Sequence, residues 1–192
     1  DLNTQKVDHS LITCEDWEDF FGGMARGYKL LADCVVDNAY DPSATLLMNL
    51  GVLTGSDFMT GLRTYFQAFS PLKRSSIGKP SAMWSTGSGK FGPKLRYLGI
   101  DEVIFTGRLE KPSYLHLSKD GDGVKFEFKD AAHLLGKLAN DKIQELYKEY
   151  PEAHFAVIGP AGENYDEVYY AAIALSTENQ LKSGDNKPRF AG

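Results

Sequence analysis

Residues 113–130, SYLHLSKDGDGVKFEFKD, alternate apolar and polar side chains along two arms joined by Asp-Gly pairs. That is the pattern of a β-hairpin. A different period governs the N-terminal part, where Trp17, Phe20, Phe21, Met24, Tyr28 and Leu31 recur at helical spacing. They predict a helix over about 15–34, with Thr13 and Asp16 as a capping start. Gly22, Gly23 and Gly27 each weaken that helix by roughly 1 kcal/mol relative to alanine. Glycines kept there permit close approach of another backbone.

The remaining segments read in order. DLNTQKV offers a turn between two short strands in residues 1–13. ATLLMNLGVLTG (44–55) predicts a buried strand ending in a glycine-rich turn, and RTYFQAF (63–69) a second strand. A polar loop, SPLKRSSIGKPS, precedes a short strand, AMWST. In FGPKLRYLGI, Pro93 suits the first turn of a helix over 91–98 and Gly99 its cap. EVIFTG is a strand, and AAHLLGKLANDKIQELYKEY is one helix or two, ending before Pro151. HFAVIG and EVYYAAIALST predict strands around a tight loop, GPAGEN, and the tail from Glu178 has no periodicity. Strands, helix, strands, helix, hairpin, helix and strands in that order predict a mixed α+β domain, not a doubly wound parallel one.

Composition adds little to this. The 192 residues are 42% hydrophobic and 24% charged, ordinary for a globular chain with its own core. No apolar run spans a membrane, and the polar start does not read as a secretory signal, so the expected location is the cytoplasm. Cys14 and Cys34 lack metal-binding spacing, which argues against a metal or iron–sulfur site made by this chain alone. They read as partly buried thiols, and a disulfide between them stays open. Charge changes the picture more. From Phe58 to Ile100 there are seven cations (Arg63, Lys73, Arg74, Lys79, Lys90, Lys94, Arg96) and no acid, within a chain of net charge −5. Such a window suggests an anionic ligand. Glycines and hydroxyls gathered in one loop favour a compact phosphate over nucleic acid.

That loop, WSTGSGKFGPKL (84–95), resembles a P-loop, but Trp84 and Phe91 stand where glycine and the Mg²⁺-binding hydroxyl are needed. Two failed positions argue against nucleotide binding of that kind. No nucleophile with an adjacent base stands out, so no catalytic residue is assigned to the chain. His116 and His133 read as packed or solvated, and Glu163 of GPAGEN as part of a structural turn.

Several stretches together carry a resemblance: GVLTGSDFMTGLR (51–63), SPL (70–72), GSGKFGPKLRYLGIDEVIFTGRLEKPSYL (87–115) and VIGPAGENYDEVYYAAI (157–173). With DLNTQKV, FFGGMARGYKLLAD and the terminal PRFAG, the chain resembles the N-terminal domain of the tungsten-containing aldehyde ferredoxin oxidoreductases over nearly its whole length. The resemblance implies two β-sheets with flanking helices, a single platform domain over 1–192 that is part of a longer enzyme. On that platform lies a tungsten (or molybdenum) bis-pterin whose phosphates are bridged by magnesium.

It also implies oxidation of aldehydes to carboxylic acids, with ferredoxin as electron acceptor through a [4Fe–4S] cluster in the other domains. Arg63 matches a phosphate-contacting arginine, and Thr86, Gly87, Ser88 and Gly89 match a loop that meets pterin and magnesium. Arg189 matches a second phosphate arginine. The backbone carbonyls of Thr86 and Phe190 match the magnesium donors. The family pattern has Asn where Thr86 stands and Ala where Phe190 stands. Expected partners are the remaining domains and ferredoxin, with neither nucleic acid nor membrane, and a homodimer is compatible. Two other functions stay open: a stand-alone anion- or partner-binding module, and a family member acting on another substrate such as an aromatic acyl-CoA.

Overall fold

The helix expected over 15–34 is two helices, α1 (Cys14–Asp19) and α2 (Gly23–Leu31). Hydrophobic spacing runs unbroken through Phe20 and Phe21, but Gly22 and Gly23 take φ values of 70° and 56°. The break serves packing: Gly22 bridges Gly51, and a Cβ there would lie 2.7 Å from the Leu50 carbonyl oxygen and 2.8 Å from the Trp17 ring. In this computed structural model residues 1–185 and 187–192 are described.

Among the described residues, nine strands and four further α-helices follow. The first sheet contains β1 (Leu46–Leu50), β2 (Thr64–Arg74), β3 (Pro80–Gly87) and β4 (Glu102–Phe105), in the order β3-β2-β1-β4 with every pairing antiparallel. Helix α3 (Phe91–Tyr97) sits between β3 and β4, with Gly99 at φ 80° beyond its end, as the sequence pattern required. The hairpin β5 (Ser113–Asp120) and β6 (Gly123–Asp130) pairs Asp120 with Gly123, leaving Gly121 and Asp122 as its two-residue turn. The expected helical stretch after it is a short 3₁₀ turn (Ala132–Leu134) and α4 (Ala139–Glu149), separated at Gly136 with φ 74°. The last sheet joins β7 (Ala156–Ile158), β8 (Ile173–Leu175) and β9 (Arg189–Ala191), also antiparallel. The mixed α+β architecture is therefore found, with the hairpin a ribbon of its own beside the two larger sheets.

Several local expectations are corrected. Residues 1–13 form no strand: Asp1 Oδ1 accepts from Thr4 N (2.8 Å) and the N-terminal ammonium donates to Lys6 O (2.9 Å), so the segment closes on itself. Strand β2 runs five residues past the expected Phe69, absorbing Pro71 at an irregularity between Phe69 and Arg74. Proline is tolerated there because β1 pairs only as far as Gln67, so Pro71 blocks no second ladder. GPAGEN is not a loop but contains a one-turn helix, α5 (Pro160–Glu163), and the strand expected over 167–177 shrinks to β8. The described residues of the tail carry two elements. Thr177 and Gln180 form a reciprocal capping box that starts α6 (Glu178–Ser183), and β9 then pairs with β8. Cys14 is exposed and Cys34 partly buried, and both are free thiols. Among the described residues no helix is long and apolar enough to cross a membrane.

Three apolar clusters hold these elements. Met48, Leu50, Phe66 and Leu95 pack with Leu175 and Ala191, joining the four-stranded sheet to the last sheet. Ile143, Leu146, Phe155, Ala174 and Leu181 bind α4 and α6 to β7 and β8. Leu31, Val36, Leu47 and Phe69 seat α2 on the first sheet. Beneath α2 runs a polar thread: Asn49 Nδ2 donates to Gln67 Oε1 (2.9 Å), and Gln67 Nε2 donates to Met24 O (2.9 Å). Gly27 makes room for it, so what approaches the helix at Gly27 is a side-chain amide and not the backbone expected there.

Candidate functional site

The antiparallel register decides where the glycine loop lies. Thr64 pairs with Gly87 and Tyr65 with Thr86, so Arg63, one residue before β2, and Ser88, one residue after β3, emerge at the same end of neighbouring strands. Arg63 is exposed, and its carbonyl accepts from the buried Thr54 hydroxyl (2.8 Å), which pins the loop 51–63 to the strand. Thr86 donates its hydroxyl to Thr64 O (3.0 Å), so its side chain is committed to the sheet. Among the described residues, the amides of Ser88, Gly89 and Lys90 donate to no protein acceptor.

The last sheet closes against this end. A Cβ on Gly87 would lie 2.5 Å from Leu175 Cδ1 and 3.6 Å from Ala191 Cβ, and one on Gly89 (φ 125°) would lie 2.8 Å from Ser176 O. The two glycines are thus required by packing between sheets, a role the sequence reading assigned to ligand approach. The same contact brings Arg189 and Phe190, both exposed, to the edge of the loop, because they precede Ala191 on β9. Arg63 and residues 86–89 therefore lie at one end of the first sheet, and β9, which carries Arg189 and Phe190, packs against that end through Ala191.

The basic window does not form one patch. Lys73, Arg74 and Lys79 lie at the far end of the β2–β3 pair, roughly 30 Å along the strands from Arg63. Lys79 pairs with Asp37, and Arg96 donates to Gly51 O (2.9 Å) and faces Asp101 (2.5 Å). Lys90, beside the loop, pairs with Glu178 of α6 at 2.8 Å. Hydrogen bonds from Lys182 and Lys90 hold the Glu178 carboxyl down at about 2. Arg63, Lys94 and Arg189 are cations near the loop with no acidic partner among the described residues.

His154 was missed by the sequence reading. It lies just before β7, and its Nδ1 is 3.1 Å from Ser176 Oγ, which also accepts from Phe155 N (2.9 Å). Burial, and then the Lys94 and Lys90 ammoniums, push its imidazole below the usual histidine range. No local signal marks it; only the approach of β8 to the loop brings it there. His116 packs on Tyr150 (ring centroids 4.5 Å) and His133 is exposed, as expected. Glu163 is structural: it pairs with Lys142, and its Oε2 accepts from Gly136 N (2.9 Å). Among the described residues, no cluster of His, Cys, Asp or Glu could hold a metal ion.

Comparison with known proteins places these residues in context. The profile described as aldehyde ferredoxin oxidoreductase, N-terminal domain, matches residues 1–189. A tungsten-containing aldehyde ferredoxin oxidoreductase of Thermococcus kodakarensis is 34% identical over 134 residues, 69% of this chain and 20% of the relative. The WOR-like subunit of an aliphatic sulfonate oxidoreductase of Pyrococcus furiosus is 27% identical over 188 residues, 90% of this chain and 28% of the relative. Among solved structures, the active site complex BamBC of benzoyl coenzyme A reductase, in complex with 1,5-dienoyl-CoA, superposes with a TM-score of 0.80. It is 28% identical and covers 99% of this chain and 26% of that one. The chain thus spans about a fifth of the length of the aldehyde-oxidising relatives it matches.

Proposed function

The chain belongs to the aldehyde ferredoxin oxidoreductase N-terminal domain family, and on that premise we propose that it is the platform on which such an enzyme seats a tungsten or molybdenum bis-pterin with magnesium. The reading is supported by one observation above the others: the register that places Arg63 beside the Thr86–Gly89 loop, with Arg189 and Phe190 brought to the same end by the Gly87–Ala191 contact.

The donors suit the charged end of such a group. An exposed guanidinium offers a planar pair of N–H donors, and three unengaged amides offer more. Arg189 adds a second guanidinium on the opposite sheet. The carbonyls of Thr86 and Phe190 are the backbone groups assigned to magnesium. Backbone donors depend little on side-chain identity, so Thr and Phe in place of Asn and Ala are compatible with that role. When bound, the metallopterin supplies the two-electron chemistry that converts aldehyde to carboxylic acid. The chain's residues bind and orient it, while Gly87 and Gly89 keep the loop seated against β8. In the whole enzyme, a [4Fe–4S] cluster held by other domains would supply the route for electrons to ferredoxin.

In the full-length enzyme, Arg63→Ala is expected to weaken cofactor binding about tenfold, the worth of one charge-assisted contact, with far-ultraviolet circular dichroism unchanged. Tungsten per polypeptide, measured by mass spectrometry, checks it; wild-type metal content in a well-folded variant would refute the assignment. A second reading, an enzyme acting on an aromatic acyl-CoA, is favoured by the structural match that covers 99% of this chain. Turnover of aldehydes against that of aromatic acyl-CoA thioesters by the whole enzyme separates the two.

A further inference from the structure

A cleft of about 400 Å³ opens at the other end of the four-stranded sheet from the glycine loop. Thr64 and Gly87 mark the loop end, beside Leu50, whereas the cleft follows Phe105, which pairs with Leu46 at the start of β1. Its walls are Tyr40 and Tyr165, with ring centroids 5.3 Å apart and planes tilted by 47°. Leu2, Pro42 and Leu109 contribute apolar surface. Arg108 lies with its guanidinium carbon 5.2 Å over the Tyr165 ring, and its Nη2 donates to Tyr40 O at 3.2 Å.

The cleft is held open by bonds independent of any ligand. Gly107 N donates to Pro42 O (2.9 Å), Leu2 N to Thr106 O (2.7 Å) and Arg108 N to Asn3 Oδ1 (3.0 Å). Gly107 has φ 78°, and a Cβ there would lie 2.6 Å from Asn3 Nδ2, so the backbone beneath Arg108 is fixed. The polar equipment is distinctive. Neither Arg108 nor Lys111 has a carboxylate partner among the described residues. The one lining acid, Asp41, already accepts from Ser43 N at 2.8 Å. Burial, and then Tyr169 and Asp166, push the Tyr40 phenol up, so its hydroxyl stays protonated and able to donate.

We propose that this cleft is a binding site for a small planar aromatic carboxylate, whose ring lies against Tyr40 and Tyr165 and whose carboxylate takes the free N–H groups of Arg108 and the ammonium of Lys111. The volume, near the lower end of small-molecule sites, is ample for a ligand of that size. The aromatic surface of Tyr40, with Tyr165 beside it, favours a flat ring over an aliphatic one. A guanidinium already stacked on one of those faces is oriented for a planar, two-oxygen acceptor. The site does not depend on the cofactor reading, because no residue is shared between the cleft and the glycine loop.

The experiment is an amide-resolved NMR titration of the 192-residue chain with benzoate, benzyl alcohol and cyclohexanecarboxylate. Benzoate is expected to saturate, with shifts concentrated at residues 39–42, 107–113 and 165. Benzyl alcohol, which keeps the ring without the charge, and cyclohexanecarboxylate, which keeps the charge without the ring, should each bind about tenfold more weakly. Arg108→Lys retains charge and loses the planar stack; it should weaken benzoate about tenfold while leaving the rest of the spectrum in place. Lys111→Gln, at an exposed position, gives a second reading if Arg108→Lys disturbs the loop, with a loss of severalfold. The proposal fails if benzoate shifts do not saturate or fall elsewhere, if benzyl alcohol binds equally well, or if neither variant changes the affinity.

Discussion

Gly27→Ala is expected to destabilise the protein by about 3–5 kcal/mol, even though alanine is the better helix former by about 1 kcal/mol. The added Cβ would lie 1.6 Å from Gln67 Oε1 and 2.5 Å from Gln67 Nε2. Gln67 is 1% exposed and is held on both sides, by Asn49 and by Met24 O, so its amide has nowhere to go. Either α2 lifts from the sheet, uncovering Leu31 and Leu47, or the amide withdraws and leaves Asn49 and Met24 O unpaired in the interior. Overpacking and orphaned polar groups each contribute about 1–3 kcal/mol. Thermal unfolding should show a midpoint lower by roughly 10 °C for a chain of this size. The double variant Gly27→Ala with Gln67→Ala removes the clash and should recover part of the loss. A single variant as stable as wild type would show that α2 does not rest on this amide.

Lys142→Met should cost about 3–5 kcal/mol, because it breaks a buried pair and leaves one member behind. Lys142 is 5% exposed, pairs with Glu163 and donates to Ile158 O at 2.8 Å. Its loss strands the Glu163 carboxylate, with Gly136 N as its remaining donor, and frees the Ile158 carbonyl. Replacing both, as Lys142→Met with Glu163→Leu, should restore most of the stability, since neither charge then needs a partner.

The same pair sets a pH dependence. Burial alone would raise the Glu163 carboxyl, but the Lys142 ammonium and the Gly136 N–H outweigh it and the net shift is downward. A group whose folded value lies below its unfolded value stabilises the protein above the unfolded value, here the ordinary 4.5. That contribution is lost as pH falls below it. Denaturant unfolding between neutral and acid pH should show a steeper acid loss for wild type than for the double variant.

The sequence pattern revealed the elements whose causes are local. The hairpin, α3 and β1 carry their periodicity and their turn residues within a dozen positions, and all three were found where expected. The break between α1 and α2 was hidden, because Trp17, Phe20 and Phe21 continue the helical spacing while the turn at Gly22 answers to Leu50 in another element. The tail was misread for a related reason: the Thr177–Gln180 capping box is visible in sequence, but β9 exists through pairing with β8. At the candidate site, Arg63 and the 86–89 loop were legible as residue types and their meeting follows from strand register. The charge window was not a patch, because a hairpin sends consecutive cations to opposite ends. His154 gave no signal at all, since its place beside Ser176 comes from a contact between sheets.

The seam where Gly87 lies on Leu175 and Ala191 has a mechanical consequence. Arg63 and Ser88 extend from one sheet and Arg189 from the other, with no Cβ-sized gap at Gly87 between them. A rigid anion gripped by both arginines would act as a rivet across that seam. The two sheets, already joined through Leu175 and Ala191, would then part at a higher temperature when it is seated, so loading the platform also tightens it.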